Sequence, residues 1–141
     1  MRPPLYDEVH QLSIDVVNAS ASEDRSLEWE AYNKLETLCV LNKNSEKDHP
    51  IQWEALADFT RNADQALLVY QKALQCSILL GLNEYSASIN LSMAERYLES
   101  KNVELALELA HRASELAKTT NNLELRKKIS DFLLLATNFT Q

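Results

Sequence analysis

Apolar and polar residues follow one another along this chain with the period of amphipathic helices. Over residues 90–118, apolar and small side chains recur at steps of three and four on both sides of a polar break at Ser100, Lys101 and Asn102. Asparagine tolerates the left-handed conformation that ends a helix, and its side chain can cap the next helix. The stretch therefore predicts a helical hairpin with its turn at this break.

The same periodicity continues through the rest of the chain and predicts an all-α fold of about seven helices in antiparallel pairs. We expect a first helix from about residue 5, a second that ends near 42, a third from about 50, a fourth that follows 61–62, and three more over about 84–100, 103–119 and 122–138. The polar stretch 42–49 has no periodicity and is the longest predicted loop.

Residues suited to helix ends mark several of these boundaries. Gly81 is placed for a C-terminal cap, because glycine adopts the left-handed conformation without steric cost. The side chains predicted to cap helix starts are Ser20 with Glu23, Asp48 or His49 before Pro50, Asn83, and Asn121 with Glu124.

The periodicity also predicts which side chains face the core. On the second helix we expect a buried face of Leu27, Ala31, Leu35, Leu38 and Cys39, widened by Trp29, Tyr32 and Val40. On the fourth helix the predicted buried face is Ala66, Leu67, Tyr70, Ala73, Leu74, Ser77 and Ile78.

Composition excludes several classes of function. The chain has 141 residues, enough for one domain with its own core, and its single glycine leaves no place for a GxGxxG or P-loop motif. A formal net charge of −7 disfavours nucleic-acid binding, because a phosphate-binding protein needs a basic surface. We expect no nucleotide cofactor and no nucleic-acid partner.

The cysteines and the N-terminus indicate where the protein works. Cys39 and Cys76 lie within apolar helical patterns, where a thiol usually behaves as a small buried hydrophobe. The N-terminal residues contain no apolar signal core, and no run reaches the roughly 18 apolar residues of a membrane span. We expect a soluble cytoplasmic protein with reduced thiols and no membrane contact.

Helices four and six repeat one another. Ala66, Tyr70 and Ala73 align with Ala106, Ala110 and Ala113 at a constant offset of 40 residues. Repeats of this length with two helices per unit are typical of helical solenoids, in which each pair of helices buries its faces by stacking on neighbours.

At these positions the chain resembles the tetratricopeptide repeat (TPR) family, whose units pair a helix carrying a small residue and a tyrosine with a helix carrying spaced alanines. The residues that match are Met93, Ala94, Tyr97, the Lys101-Asn102 turn, Ala106 and Ala113, and those that resemble a second unit are Trp53, Leu56, Ala57, Ala66, Tyr70 and Ala73. The second unit departs from the pattern because Ala57 and Ala66 are three residues closer than Ala94 and Ala106.

The resemblance implies a right-handed αα-superhelix as a single domain over 1–141. Its parts would be a degenerate unit at 5–43, units at 49–81 and 84–119, and a terminal helix at 122–139. It also implies a non-enzymatic adaptor that binds a peptide or a partner-protein segment on a concave acidic face, with a small secretion-type chaperone as a narrower version. The implied partner-binding residues are Glu54, Asp58, Arg61, Ser88, Leu91, Ser92, Glu95, Leu98 and Glu99.

A helical bundle that binds a metal or a small molecule is the alternative. Glu108 and His111, with Asp7 and His10, have the carboxylate-x-x-His spacing found in di-iron bundles. The flanking Glu104 and Arg112 indicate instead a solvated face with helix-surface ion pairs, so we expect no metal and no cofactor.

The last helix carries more apolar residues than a terminal cap needs. Leu134, Leu135 and Phe139 lie off its predicted core face. Exposed apolar side chains of this kind predict that the helix either folds into the concave surface of its own chain or contacts a second copy. The second alternative implies a homodimer through the C-terminal helix.

Overall fold

A computed structural model describes residues 2–140 of the chain, and within this range every element of regular secondary structure is a helix. The elements are α1 (Tyr6–Ala21), α2 (Arg25–Asn42), α3 (Pro50–Asp58), α4 (Ala63–Leu79), α5 (Asn83–Glu99), α6 (Val103–Ala117), α7 (Leu123–Thr137) and a 3₁₀ turn (Asn138–Thr140). The predicted all-α class and the seven helices are confirmed. In the described range, no helix has both the length and the apolar composition to cross a membrane.

The chain forms two compact units. The first ends at Cys76 and the second begins at Ser77, so the boundary falls within α4. The repeat units and the right-handed superhelix implied by the TPR resemblance stay a prediction.

The first unit is built on the α1–α2 hairpin, against which α3 packs. Val9 and Val16 of α1, Leu35 of α2 and Leu56 of α3 are buried. The Cys39 thiol donates to the Gln52 carbonyl oxygen across 3.2 Å, which ties α2 to α3. This packing places the outer face of α2 beside the segment that links α3 to α4.

In the second unit α5 packs against α6, and α6 packs against α7. Ala106, Ala110 and Ala113 of α6 have no exposed surface. Small side chains spaced along one face let two helix backbones approach closely, so these alanines are packing residues. Leu125, Ile129, Phe132 and Ala136 form the buried face of α7.

Three predicted helix starts are wrong by a short distance. The cap of α2 is Asp24, whose Oδ1 accepts from the Leu27 amide at 3.0 Å, and Ser20 belongs to α1. Asn122, not Asn121, caps α7, with 2.9 Å from its Oδ1 to the Leu125 amide. Asn83 lies inside α5 and donates to Thr119 instead of capping.

Other boundaries are confirmed. His49 caps α3, since its Nδ1 accepts from the Ile51 amide at 3.1 Å. Gly81 has φ +68°, and the amide that follows it returns to the Ser77 carbonyl at 2.9 Å, which ends α4. Asn102 caps α6, but the left-handed residue of that turn is Lys101, with φ +64°.

Several apolar side chains predicted to face the core are exposed. On α2 these are Leu27, Trp29 and Val40, and on α4 it is Ile78. α1 and α3 pack against α2, whose buried residues Ala31, Leu35 and Cys39 form a narrow face. Leu27, Trp29 and Val40 lie outside this face.

Candidate functional site

An open cavity of about 550 Å³ lies in the first unit, along α2. α2 contributes one row of side chains at helical spacing: Arg25, Glu28, Trp29, Tyr32 and Glu36. The other walls are Val16 of α1, residues 59–62 after α3, and Gln65 of α4. We call this set of residues the Trp29 pocket. Its volume falls in the range of ligand-binding clefts.

The floor of the Trp29 pocket is held by a chain of hydrogen bonds. The buried Thr60 hydroxyl donates to the Leu56 carbonyl oxygen at 2.8 Å. The Tyr32 hydroxyl therefore donates to Thr60 Oγ1, also at 2.8 Å. This link joins the middle of α2 to the end of α3 and fixes the orientation of the Tyr32 ring.

An ion pair closes one side of the pocket. Arg61 Nη2 donates to both carboxylate oxygens of Glu28, at 2.6 and 2.8 Å. The Arg61 hydrogen bond holds the pKa of the Glu28 carboxyl below its usual value, so the pair is charged at neutral pH. The segment after α3 is thereby attached to α2 at a second point.

Trp29 is the most unusual side chain of the pocket, because 65% of its surface is exposed. Its ring stacks on Tyr32, with 6.0 Å between the ring centroids and 13° between the ring planes. On its other side is a shallow hollow lined by Ser26, Glu30, Asn33, Lys34 and Thr37. Trp29 thus forms an aromatic ridge between two depressions.

Arg25 and Glu36 lie at the two ends of the pocket row. They are 11 residues apart on α2, or about 16 Å at 1.5 Å per residue. Within residues 2–140 Arg25 forms no ion pair, although its charge helps to lower the pKa of Glu28. The row therefore offers a positive group at one end and a negative group at the other.

Three of the predicted partner-binding residues belong to the first unit. Arg61 lines the Trp29 pocket. Asp58 is exposed at the end of α3 and accepts a hydrogen bond from the Tyr70 hydroxyl. Glu54 is half-buried on α3 and does not line the pocket.

The other six predicted partner-binding residues are on α5, in the second unit. Glu95 and Glu99 are exposed, and Ser88, Ser92 and Leu98 are half-buried. Leu91 is buried, which disfavours it as a contact for a partner. The concave acidic face that these residues would form stays a prediction.

The carboxylate-x-x-His pairs make helix-surface contacts. Glu108 accepts from Arg112 at 2.8 Å, and Asp7 accepts from Arg2 at 2.8 Å. His10 stacks on Tyr6, with 5.8 Å between the ring centroids. Among the residues that the structure describes, no three His, Cys, Asp or Glu side chains converge as metal ligands would.

Neither thiol is suited to nucleophilic chemistry. Burial raises the pKa of Cys39 to about 12 and that of Cys76 to about 11. A thiol with such a pKa carries almost no thiolate at neutral pH, and the thiolate is the nucleophile. Cys39 is buried and Cys76 is half-buried.

The C-terminal side chains expected to contact a second copy are on the surface. The exposed fraction is 70% for Leu134, 54% for Leu135 and 61% for Phe139. The exposure is as predicted, and the dimer stays a prediction.

The chain was compared with protein-family models, with curated proteins and with solved structures, and none of the three comparisons found a match.

Proposed function

We propose that this protein is a non-enzymatic binding module that holds a segment of a partner protein in the Trp29 pocket. The observation that carries the proposal is the exposed, stacked Trp29 beside a preformed cavity. Tryptophan, tyrosine and arginine are the residue types that dominate the energetics of protein interfaces. All three line this one pocket, which supports a protein partner.

The charges of the pocket support an amphipathic helical segment as the occupant. Apolar side chains of the segment would pack on Trp29 and Phe59. A carboxylate would pair with Arg25 and a basic group with Glu36, about 16 Å farther along. This span corresponds to about three turns of a bound helix.

A small-molecule ligand is the second candidate, and the size of the cavity favours it. A small ligand would be held by the cavity walls and would not need the exposed outer edge of Trp29. The two candidates therefore differ in how much they depend on the surface around the pocket.

Peptide selection tests the proposal. A displayed library of random 16-residue peptides is selected against the full chain, and enriched peptides are synthesised and measured by calorimetry. We expect binding to weaken more than about tenfold in Trp29→Ala, because loss of a central aromatic anchor costs about 2 kcal/mol or more. Leu41→Ala is the matched control, since Leu41 is exposed on the same helix but outside the pocket.

Two results would count against the partner-segment proposal. One is that no peptide is enriched, whereas a fragment library yields small ligands whose binding shifts the NMR signals of Tyr32 and Phe59. This result favours the small-molecule candidate. The other is that Trp29→Ala binds every enriched peptide as tightly as the wild-type chain, which places the binding surface elsewhere.

The finer predictions on setting and assembly are part of the proposal. A cytoplasmic location is supported by the free thiols of Cys39 and Cys76, since free thiols persist in a reducing compartment. A homodimer through the C-terminal helix is supported by the exposure of Leu134, Leu135 and Phe139.

A further inference from the structure

The outer face of α7 carries a row of four side chains at steps of four residues: Leu123, Lys127, Asp131 and Leu135. Side chains spaced in this way form one continuous ridge on a helix surface. All four are exposed, and Leu123 and Leu135 are large apolar residues. Leu134 and Phe139 extend the apolar end of the row.

The row is symmetric about its centre. Lys127 and Asp131 lie two residues before and after Ile129, and Leu123 and Leu135 lie six residues before and after it. A two-fold rotation about the centre of the row therefore places leucine opposite leucine and lysine opposite aspartate. A two-fold contact requires this kind of self-complementarity, because each copy presents the same surface.

We propose that two copies of this chain associate through this row with their α7 helices antiparallel. In this arrangement Lys127 of each copy faces Asp131 of the other. Leu123 of each copy packs against the last helical turn of the other copy's α7, which carries Leu134 and Leu135. The proposal takes up the homodimer described above and assigns its orientation and register. It does not depend on the Trp29 pocket.

The charges select the antiparallel orientation. In a parallel pair Lys127 would face Lys127 and Asp131 would face Asp131, and like charges across an interface are unfavourable. Within one copy Lys127 already donates to Asp131 at 3.1 Å, so the centre of the contact becomes a cluster of four alternating charges.

The electrostatic character of α7 favours a second copy of this chain as the occupant. The whole chain has a formal net charge of −7, which makes copies repel one another. α7 by contrast has three basic and two acidic residues, and Glu124 and Lys128 beside the row form a further ion pair at 3.9 Å. Repulsion between copies at this face is therefore lower than the net charge of the whole chain implies.

The length of the row sets the strength of the contact. From Leu123 to Leu135 is about 18 Å along the helix, much less than the surface of a permanent dimer. We expect association at protein concentrations of about 10 µM to 1 mM, the regime of small and transient interfaces.

Charge reversal in the full chain tests the register, with sedimentation equilibrium as the measurement. Lys127→Asp gives a face with two acids, and Asp131→Lys gives a face with two bases. We expect each single variant to self-associate about tenfold more weakly than the wild type. An equimolar mixture of the two should form heterodimers, detected by native mass spectrometry, and the double variant should regain wild-type association.

The mixture separates contacts between copies from effects within one helix. Each single variant has lost the 127–131 ion pair within its own α7, so opposite charges at these positions can meet only across the contact between the two variants. Lys34→Asp is the matched control, since Lys34 pairs with Glu30 on α2 in the same i,i+4 manner. It should leave association unchanged. Circular dichroism of every variant verifies that the helices are intact.

The outcomes that overturn the proposal are distinct. A wild-type chain that stays monomeric up to about 1 mM would refute the homodimer itself. A wild-type dimer that both single variants form equally well would refute the antiparallel register and leave the homodimer standing.

Discussion

Among residues 2–140, four residues other than glycine adopt the left-handed conformation: Leu5, Glu23, Asn44 and Lys101. For a residue with a Cβ atom this conformation is strained by roughly 1–2 kcal/mol. Two of them, Glu23 and Lys101, end helices in the manner usually reserved for glycine. These turns form because the hydrogen bonds and packing of the adjoining helices outweigh the local strain.

Lys101→Gly should stabilise the protein. Relief of the strain at φ +64° exceeds the extra entropy that glycine gives the unfolded chain, so we expect the free energy of unfolding to rise by about 0.5–1 kcal/mol. Urea unfolding followed by circular dichroism measures this. Lys118→Gly is the control, because Lys118 follows α6 with φ −61° and has no such strain. Equal effects of the two substitutions would contradict the argument.

His49 gives the protein a pH dependence. Its Nδ1 accepts the Ile51 amide hydrogen only when the ring is neutral, and burial lowers its pKa in the folded state despite the opposing charge of Asp48. The unfolded chain takes up the proton near the ordinary pKa of 6.5, before the folded chain does. The stabilising effect is therefore complete above that pH and is lost as the pH falls below it.

His49→Asn isolates this effect, because asparagine can cap α3 and does not titrate. We expect the wild type to lose more of its free energy of unfolding than His49→Asn when the pH is lowered from about 7.5 to about 5.5. Urea titrations at several pH values provide the measurement. Parallel pH profiles for the two proteins would show that His49 does not titrate differently on folding.

At the scale of the helices, capping by Asn122 stabilises α7. Its Oδ1 accepts from the Leu125 amide, and its Nδ2 donates to Glu84 of α5. Asn122→Ala should lower the free energy of unfolding by about 1 kcal/mol, measured by thermal or urea unfolding. Asn121→Ala should cost less than about 0.5 kcal/mol, because Asn121 is exposed and outside the cap. The reverse order would contradict this assignment.

Asn121 and Asn122 also show how far the sequence predicts the elements. Hydrophobic periodicity identified all seven helices, because a stripe of buried side chains repeats many times along each helix. A cap depends on one side chain, and here two neighbouring asparagines have the same chemistry. The path of the chain from α6 into α7 decides between them, because it brings the Leu125 amide to 2.9 Å from Asn122 Oδ1.

The Trp29 pocket could not be predicted from the sequence for a related reason. The pattern placed Trp29 at the edge of a buried face, and whether a neighbour covers that edge depends on contacts between helices. Glu28 and Arg61 are 33 residues apart, and no local spacing signals their ion pair. Of the nine predicted partner-binding residues, Arg61 is the one that lines this pocket, and it was predicted from the resemblance to a repeat unit.

At the scale of the whole molecule, charge and apolar surface are distributed unequally. The chain is acidic overall. The exposed Trp29 lies in the first unit, and the row of Leu123, Lys127, Asp131 and Leu135 on α7 lies in the second. The two proposed surfaces thus belong to different compact units, and a change at one leaves the residues of the other intact. A Trp29 variant and a Lys127 variant are accordingly suited to separate the two proposed interactions.

The chain contains two tryptophans, and their surroundings are opposite. Trp53 is 3% exposed and donates from Nε1 to Asp48 at 2.8 Å, whereas Trp29 is open to solvent in the pocket. We expect iodide in solution to quench the exposed Trp29 indole much more strongly than the buried Trp53 indole, and we expect a ligand that enters the pocket to protect Trp29 from quenching. The molecule thereby has a built-in fluorescent reporter of its own proposed binding site, with Trp29→Phe as the optical blank.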